Sequence, residues 1–68
     1  MASTAEIIAI GSELLTPHRV DSNSLYLTKQ LNSIGIEVGV KVVAGDDEGS
    51  IELVVKVAIG RSSLVIAT

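Results

Sequence analysis

Three short apolar runs, separated by two segments with helical spacing, constrain the fold of this chain more than any other feature of its sequence. The first run is Glu6–Ile10 and the last is Leu64–Ala67, and short aliphatic runs of this kind are typical of fully buried strands. Between them, Ile36–Val43 places an isoleucine and three valines at a period of two, which is the periodicity of a strand. The three runs therefore predict three strands.

The two connecting segments predict helices at Ser24–Ile34 and Asp47–Ile59, because their apolar residues recur at intervals of three and four. Ser22 or Asn23 is a suitable N-cap for the first helix, and Gly35 is suited to end it. Helices between consecutive strands imply parallel strands with right-handed crossovers. The order β-α-β-α-β thus predicts an α/β fold with a mainly parallel sheet.

The length of the chain limits how well such a fold can be covered. A domain of 68 residues buries only about 60% of the surface that its unfolded chain exposes. The chain has no cysteine for a disulfide, and its single histidine cannot make a zinc site. A parallel sheet must be covered on both faces, which two helices achieve poorly. We therefore expect the chain to be the front part of a longer α/β domain, or to assemble as a homo-oligomer.

Charge and hydropathy exclude several classes of function. The net charge is −3 and the five basic residues are not clustered, which disfavours binding to nucleic acid through phosphate contacts. No apolar run approaches the ~18 residues of a transmembrane helix, and the N-terminus lacks the basic region of a secretory signal. The absence of cysteine is consistent with a reducing compartment. We expect a cytoplasmic protein that binds neither nucleic acid nor membranes.

Acidic residues follow the first two predicted strands. Ser12 and Glu13 come after the first strand, and Asp46 and Asp47 come after the second. In a parallel sheet all the strands end at one edge, where α/β proteins bind their ligands, and Thr68 ends the third strand there. The sequence therefore predicts a ligand site at this edge.

Simpler interpretations of the same residues remain open. Glu13 could be a solvated acid in a turn, and Asn23 could serve only as a helix cap. Asp46 or Asp47 could cap the second helix, although a capping carboxylate can still leave one oxygen free for a ligand. No histidine or lysine lies near Ser12 in sequence, so a nucleophilic role for this serine has little support.

The stretches "IIAIGSELL", "VVAGDD" and "RSSLVIAT" together resemble the N-terminal domain of the CinA family, which belongs to the wider MoaB/Mog molybdopterin-binding fold. The resemblance runs from Glu6 to Thr68, and it depends on the combined spacing of these motifs. It implies a three-layer α/β/α domain with a mainly parallel sheet, about twice as long as this chain, of which the N-terminal β-α-β-α-β part is present here. In the family a glycine-rich segment follows, and this segment is absent from the present chain.

The resemblance implies a metal-dependent hydrolase that splits ADP-ribose at its pyrophosphate, in a family tied to pyridine nucleotide recycling. The cofactor expected from it is a divalent cation, Mg²⁺, and the expected partner is a small nucleotide such as ADP-ribose. The related Mog branch adenylates molybdopterin, and Asp46 matches a position where that branch has a functional aspartate. A molybdopterin-handling protein is therefore the alternative enzyme, and a non-catalytic assembly module is a third possibility.

These considerations assign roles to individual residues. Asp46 is the predicted principal catalytic carboxylate because it follows the clearest strand, directly behind a glycine that allows close approach of a ligand. Glu13 is predicted to support it, and Asp46 and Asp47 are the predicted metal ligands. The predicted substrate contacts are Gly11, Ser12, Asn23, Gly45 and Thr68.

Overall fold

The computed structural model describes residues 4–17 and 19–68, so that His18, the single histidine, lies outside the described residues. The five predicted elements are all present, with bounds that differ by a few residues from those expected. The strands are β1 (Thr4–Ile10), β2 (Glu37–Ala44) and β3 (Leu64–Ala67), and the helices are α1 (Ser22–Ser33) and α2 (Glu48–Ile59). One further element, a 3₁₀ turn at Ser12–Leu15, was not predicted.

The sheet has the order β2-β1-β3, and both pairs of strands are parallel. β1 is thus the central strand, and its Ile8 pairs with Val42 on one side and Ala67 on the other. This position explains why the first run is almost entirely aliphatic, since a central parallel strand is covered on both faces. The predicted parallel arrangement is confirmed.

The two helices lie on opposite faces of this sheet, which gives the three layers that the family resemblance implies. Ile7 belongs to an apolar cluster with Leu31 of α1, whereas its neighbour Ile8 belongs to a separate cluster with Ala58 of α2. Successive side chains of a strand point to opposite faces, so a single strand supplies both cores. The α/β/α architecture is therefore confirmed.

An irregularity in β2 places the residues of its period-two pattern on both faces of the sheet rather than on one. Ala5 pairs with Val38 and the next residue, Glu6, pairs with Val40, so Gly39 is an extra residue in β2. Val38 packs in the α1 cluster, but Val42 lines a cavity with residues of α2. A regular strand would place these two valines on the same face, and the bulge at Gly39 separates them.

Glu6 is the most unexpected residue of the core, because it is a fully buried carboxylate in the central strand. Its Oε1 accepts hydrogen bonds from Arg61 Nε at 2.9 Å and Ser62 Oγ at 2.8 Å, and its Oε2 accepts one from Arg61 Nη2 at 2.8 Å. Burial of a charge is tolerated only when it is paired and hydrogen-bonded in this way. The contact fixes the turn between α2 and β3 to the middle of β1.

A large part of the apolar surface is uncovered within the described chain. Val20, Ile34 and Ile59 expose 86%, 70% and 68% of their surface, and Leu53 of α2 exposes 64%. A cavity of about 250 Å³ between β2 and α2 is lined by Val42, Leu53, Val54, Val57 and Arg61. These surfaces agree with the expectation from chain length that two helices cover a parallel sheet incompletely.

No helix among residues 4–17 and 19–68 combines the length and the hydropathy needed to cross a membrane.

Candidate functional site

The three strand ends meet at the carboxyl edge of the sheet, where the sequence places its candidate residues. The backbone N–H of Gly11 donates to the carbonyl oxygen of Ala44 at 3.0 Å, and that of Ile10 donates to the carbonyl oxygen of Thr68 at 2.8 Å. The strand pairing therefore continues at Gly11, which follows the central strand β1, and at Thr68, which follows the edge strand β3. The edge predicted from topology alone is assembled by these main-chain bonds.

Glu13 lies in the 3₁₀ turn that immediately follows β1. The turn is closed by Leu14 N–H bonding to the carbonyl of Gly11 at 3.1 Å and by Thr16, whose N–H and Oγ1 both donate to the carbonyl of Glu13. The carboxylate of Glu13 folds back over the strand end: a Cβ atom on Gly11 would lie 2.6 Å from Glu13 Oε1. Glycine at position 11 thus leaves room for the glutamate, which is exposed to solvent.

The loop after β2 packs directly against this 3₁₀ turn. The backbone N–H of Asp46 donates to Ser12 Oγ at 3.0 Å. A Cβ atom on Gly45 would lie 3.3 Å from Asp47 Oδ1, 3.6 Å from Leu15 Cδ1 and 3.8 Å from Ser12 Oγ. A Cβ atom at position 45 would thus be tight only against Asp47 of the same loop, and it would meet the 3₁₀ turn at ordinary van der Waals distance. The structure brings together the predicted residues of both loops.

The two adjacent aspartates of this loop have different surroundings. Asp47 is the N-cap of α2, and its Oδ2 accepts a hydrogen bond from the backbone N–H of Ser50 at 2.9 Å. The bonds from Ser50 hold the pKa of the Asp47 carboxyl below its ordinary value. Asp46 is exposed, and among the residues that the structure describes no group donates a hydrogen bond to its carboxylate. Both carboxylates are exposed, but Asp47 uses one oxygen for the cap whereas Asp46 accepts no hydrogen bond from the described residues.

The start of α1 corrects the predicted cap. Neither Ser22 nor Asn23 caps the helix; the N-cap is Asp21, whose Oδ1 accepts from Ser24 N–H at 3.0 Å and whose Oδ2 accepts from Ser24 Oγ. Burial of Asp21 acts to raise its pKa, but these two bonds together with the positive charge of Lys41 outweigh it, so that the pKa is lowered. Ser24 is fully buried, which a pattern of exposed and apolar residues does not reveal.

Asn23 consequently stands as an exposed residue in the first turn of α1. The helix α1 runs from the carboxyl end of β1 to the amino end of β2. Its first turn therefore lies at the same edge of the sheet as Ser12 and Asp46. The structure therefore leaves the Asn23 side chain without a capping role and on the side of the molecule where the candidate residues gather.

The acids of this edge do not form a compact metal cage. Within the described parts of the chain, no three acidic or histidine side chains are grouped closely enough to hold an ion by themselves. Mg²⁺ is usually held by only one or two carboxylates together with water and substrate phosphates, so a smaller donor set can suffice. The carboxylate of Asp46 and the Oδ1 oxygen of Asp47, which lies beside Gly45, are donors of the appropriate kind.

Comparison with known proteins gives a family. The family described as "Probable molybdopterin binding domain" matches residues 6–68. A CinA-like protein of Solibacter usitatus is 58% identical over 64 residues, which are 94% of this chain and 15% of that protein. A CinA-like protein of Koribacter versatilis is 55% identical over 62 residues, which are 91% of this chain and 15% of that protein. The chain thus spans about 15% of the length of these curated relatives.

A solved structure shows the same fold. The crystal structure of the protein CinA from Thermoplasma acidophilum, which is described as having unknown function, superposes with a TM-score of 0.90 at 30% sequence identity. The superposition covers 97% of this chain and 39% of that one. The resemblance seen in the sequence motifs is therefore confirmed by both sequence and structure.

Proposed function

We propose, from the premise that this chain belongs to the molybdopterin-binding domain family and is CinA-like, that it contributes to a hydrolase site for ADP-ribose. In this proposal the pyrophosphate of ADP-ribose is cleaved at the carboxyl edge of the sheet, with a divalent cation, Mg²⁺, as cofactor. The observation that carries the proposal is the contrast between the two adjacent aspartates. Asp47 is engaged as a helix cap, whereas the exposed Asp46 carboxylate accepts no hydrogen bond from the described residues.

The chemistry of the edge supports this choice of cofactor. A pyrophosphate is anionic, so carboxylates can face it only across a cation. Asp46 is the proposed principal carboxylate, with Oδ1 of Asp47 as a second oxygen donor beside Gly45. When bound, the cation would neutralise charge on the phosphate oxygens and make the phosphorus more susceptible to attack. The role of the chain itself is to hold these oxygens at the edge of a rigid sheet.

Glu13 is proposed to act with Asp46 from the neighbouring loop. Its carboxylate lies over Gly11, at the end of the central strand, and is exposed. A carboxylate at this position can accept a proton from an attacking water molecule, which is the role of a general base. The proposed substrate contacts are Gly11, Asn23, Gly45 and Thr68, whereas Ser12, which the sequence placed among them, already accepts a hydrogen bond from the main chain of Asp46.

The test is release of AMP from ADP-ribose by the full-length protein with saturating Mg²⁺. We expect Asp46→Asn to slow turnover by at least ~10²-fold, because a charge-positioning carboxylate contributes about this much or more. The substitution preserves the size of the side chain and leaves the backbone N–H of Asp46 bonded to Ser12. Asp47→Asn is the matched control: asparagine also caps helices well, so folding is retained and the loss of turnover should be smaller.

Equal turnover in Asp46→Asn and the parent protein would remove Asp46 from the mechanism. Loss of activity in Asp47→Asn alone would transfer the metal-binding role to the neighbouring aspartate. Circular dichroism of both variants separates these outcomes from a failure to fold.

Binding of molybdopterin is the second candidate function, and the description of the matching family favours it. The same edge would then hold a pterin phosphate. Fluorescence of a pterin that co-purifies with the full-length protein, together with absence of AMP release from ADP-ribose, would favour this function over hydrolysis.

A further inference from the structure

We infer that Ser12 is a positioning residue: its hydroxyl fixes the main chain of Asp46 and thereby directs the Asp46 carboxylate. This inference rests on the proposed function, in which Asp46 is the principal carboxylate. The direct observation is the hydrogen bond of 3.0 Å from Asp46 N–H to Ser12 Oγ, which joins residues 34 positions apart in the chain. It links the 3₁₀ turn after β1 to the loop after β2.

Both residues of this hydrogen bond are adjacent to residues that are themselves held by hydrogen bonds. Ser12 directly follows Gly11, whose backbone N–H is bonded to Ala44 at the end of β2. Asp46 stands one residue before Asp47, which is held by its capping bond to Ser50. Asp46 thus lies between a strand end and a helix cap, and the hydrogen bond that its N–H donates to Ser12 Oγ fixes the orientation of the peptide group between Gly45 and Asp46.

The close approach of the loops is a second observation for this role. Gly45 has no side chain, and a Cβ atom there would lie 3.8 Å from Ser12 Oγ and 3.3 Å from Asp47 Oδ1. The serine hydroxyl therefore lies within van der Waals reach of the Gly45 main chain, at the point where the two loops meet. Because Oγ accepts the Asp46 N–H, the hydroxyl is oriented toward the loop rather than left free to rotate.

This role predicts a kinetic effect different from that of a substrate contact. Loss of a direct contact to bound substrate raises KM, whereas a misplaced catalytic carboxylate lowers kcat. We therefore expect Ser12→Ala to lower kcat about 10-fold or more while KM changes about 2-fold or less. Ser12→Thr retains the hydroxyl and should restore most of kcat.

The structural test is hydrogen exchange at the amide of Asp46 in the full-length protein, measured by NMR. We expect exchange in Ser12→Ala to be about 3- to 10-fold faster than in the parent, as for loss of one exposed hydrogen bond. Ser12→Thr should return the rate toward that of the parent. The matched control is Thr16→Val, which removes a hydroxyl bond inside the 3₁₀ turn and should leave the Asp46 amide unchanged.

Two results would overturn the inference. The first is an unchanged exchange rate at Asp46 in Ser12→Ala. The second is a rise in KM with kcat intact, which would make Ser12 a substrate contact. If the parent protein releases no AMP from ADP-ribose, the proposed function fails, but the exchange measurement still decides whether Ser12 holds Asp46.

Discussion

A glutamate in a buried aliphatic strand indicates that its carboxylate has a charged partner, and Glu6 is such a residue. Charged side chains are almost never fully buried unless they have partners. Here the hydrogen bonds from Arg61 lower the pKa of Glu6, and the bond from Ser62 adds to this, although burial of the carboxyl acts in the opposite direction. The motif "RSS" before β3, which looked like a mark of family resemblance, thus has a structural function in this chain.

The first prediction at the residue scale concerns acid stability. Because the pKa of folded Glu6 lies below its ordinary value of 4.5, its contribution to stability is fully present above that value. The contribution is lost as the pH falls through the folded pKa, since the unfolded state then binds more protons. In Arg61→Ala both hydrogen bonds from Arg61, the largest cause of the lowered pKa of Glu6, are gone, and burial, whose effect is larger than that of the remaining bond from Ser62, then raises this pKa. The slope contributed by Glu6 should therefore reverse, with stability falling as the pH rises.

The measurement is the urea midpoint of the full-length protein between about pH 3 and pH 7, where a shifted glutamate titrates. The double variant Glu6→Gln/Arg61→Ala should lack the reversed slope, because it lacks the carboxyl group. Glu52→Gln changes an exposed glutamate of α2 and serves as the matched control. The same pH dependence in Arg61→Ala and in the double variant would contradict the assignment to Glu6.

At this scale the sequence could predict which acids lie at the carboxyl edge of the sheet but not which of them caps a helix. The parallel arrangement of the strands was sufficient to place Asp46 and Asp47 at that edge. Local spacing could not distinguish a capping aspartate from a free one, nor show that Ser12 bonds to Asp46, because that contact depends on how two loops pack. Glu6 and Arg61 lie at opposite ends of the chain, so no local pattern connects them.

At the scale of the element, the cap of α1 offers a direct comparison between the predicted residue and the observed one. Asp21→Ala removes both hydrogen bonds from Ser24, and it should cost about 1–2 kcal/mol of unfolding free energy. Asp21→Asn should recover most of this, since asparagine is an equally good cap. Asn23→Ala should change stability by about 0.5 kcal/mol or less, as at an exposed position without a capping role.

These values are obtained from denaturant unfolding of the full-length variants. A larger loss in Asn23→Ala than in Asp21→Ala would show that the helix begins two residues later than in the structure.

The strand β2 shows why an element can be predicted correctly while its surroundings are not. The alternation of valines identified the strand because alternation is the periodicity of an extended chain. The bulge at Gly39 depends on pairing with Ala5 and Glu6, which are distant in sequence. Similarly, the 3₁₀ turn has only four residues, too few to show a period of its own.

At the scale of the whole molecule, the uncovered apolar residues lead to a prediction about the chain in isolation. We expect the 68-residue chain to associate or to be poorly folded, because both sheet faces and both sheet edges are incompletely covered. Sedimentation velocity and circular dichroism of the purified 68-residue chain test this, with the full-length protein as the control. A monomer with a single cooperative thermal transition would contradict it.

The architecture as a whole was predictable because it follows from the order of elements. Parallel pairing and a common carboxyl edge of the strands both result from helices between consecutive strands. The position of β1 in the middle of the sheet did not follow, since the order of strands depends on which edge β3 joins.

The central position of β1 also affects how the chain can fold during its synthesis. Ala5 is made early, but its partner Leu64 is made about sixty residues later. At ~5–20 residues per second, the ribosome needs about 3–12 s to produce that partner. For this time the most apolar strand has one edge open, and the α2 layer that covers one of its faces is still being made. Premature pairing with another nascent chain is therefore a hazard built into the order of the strands.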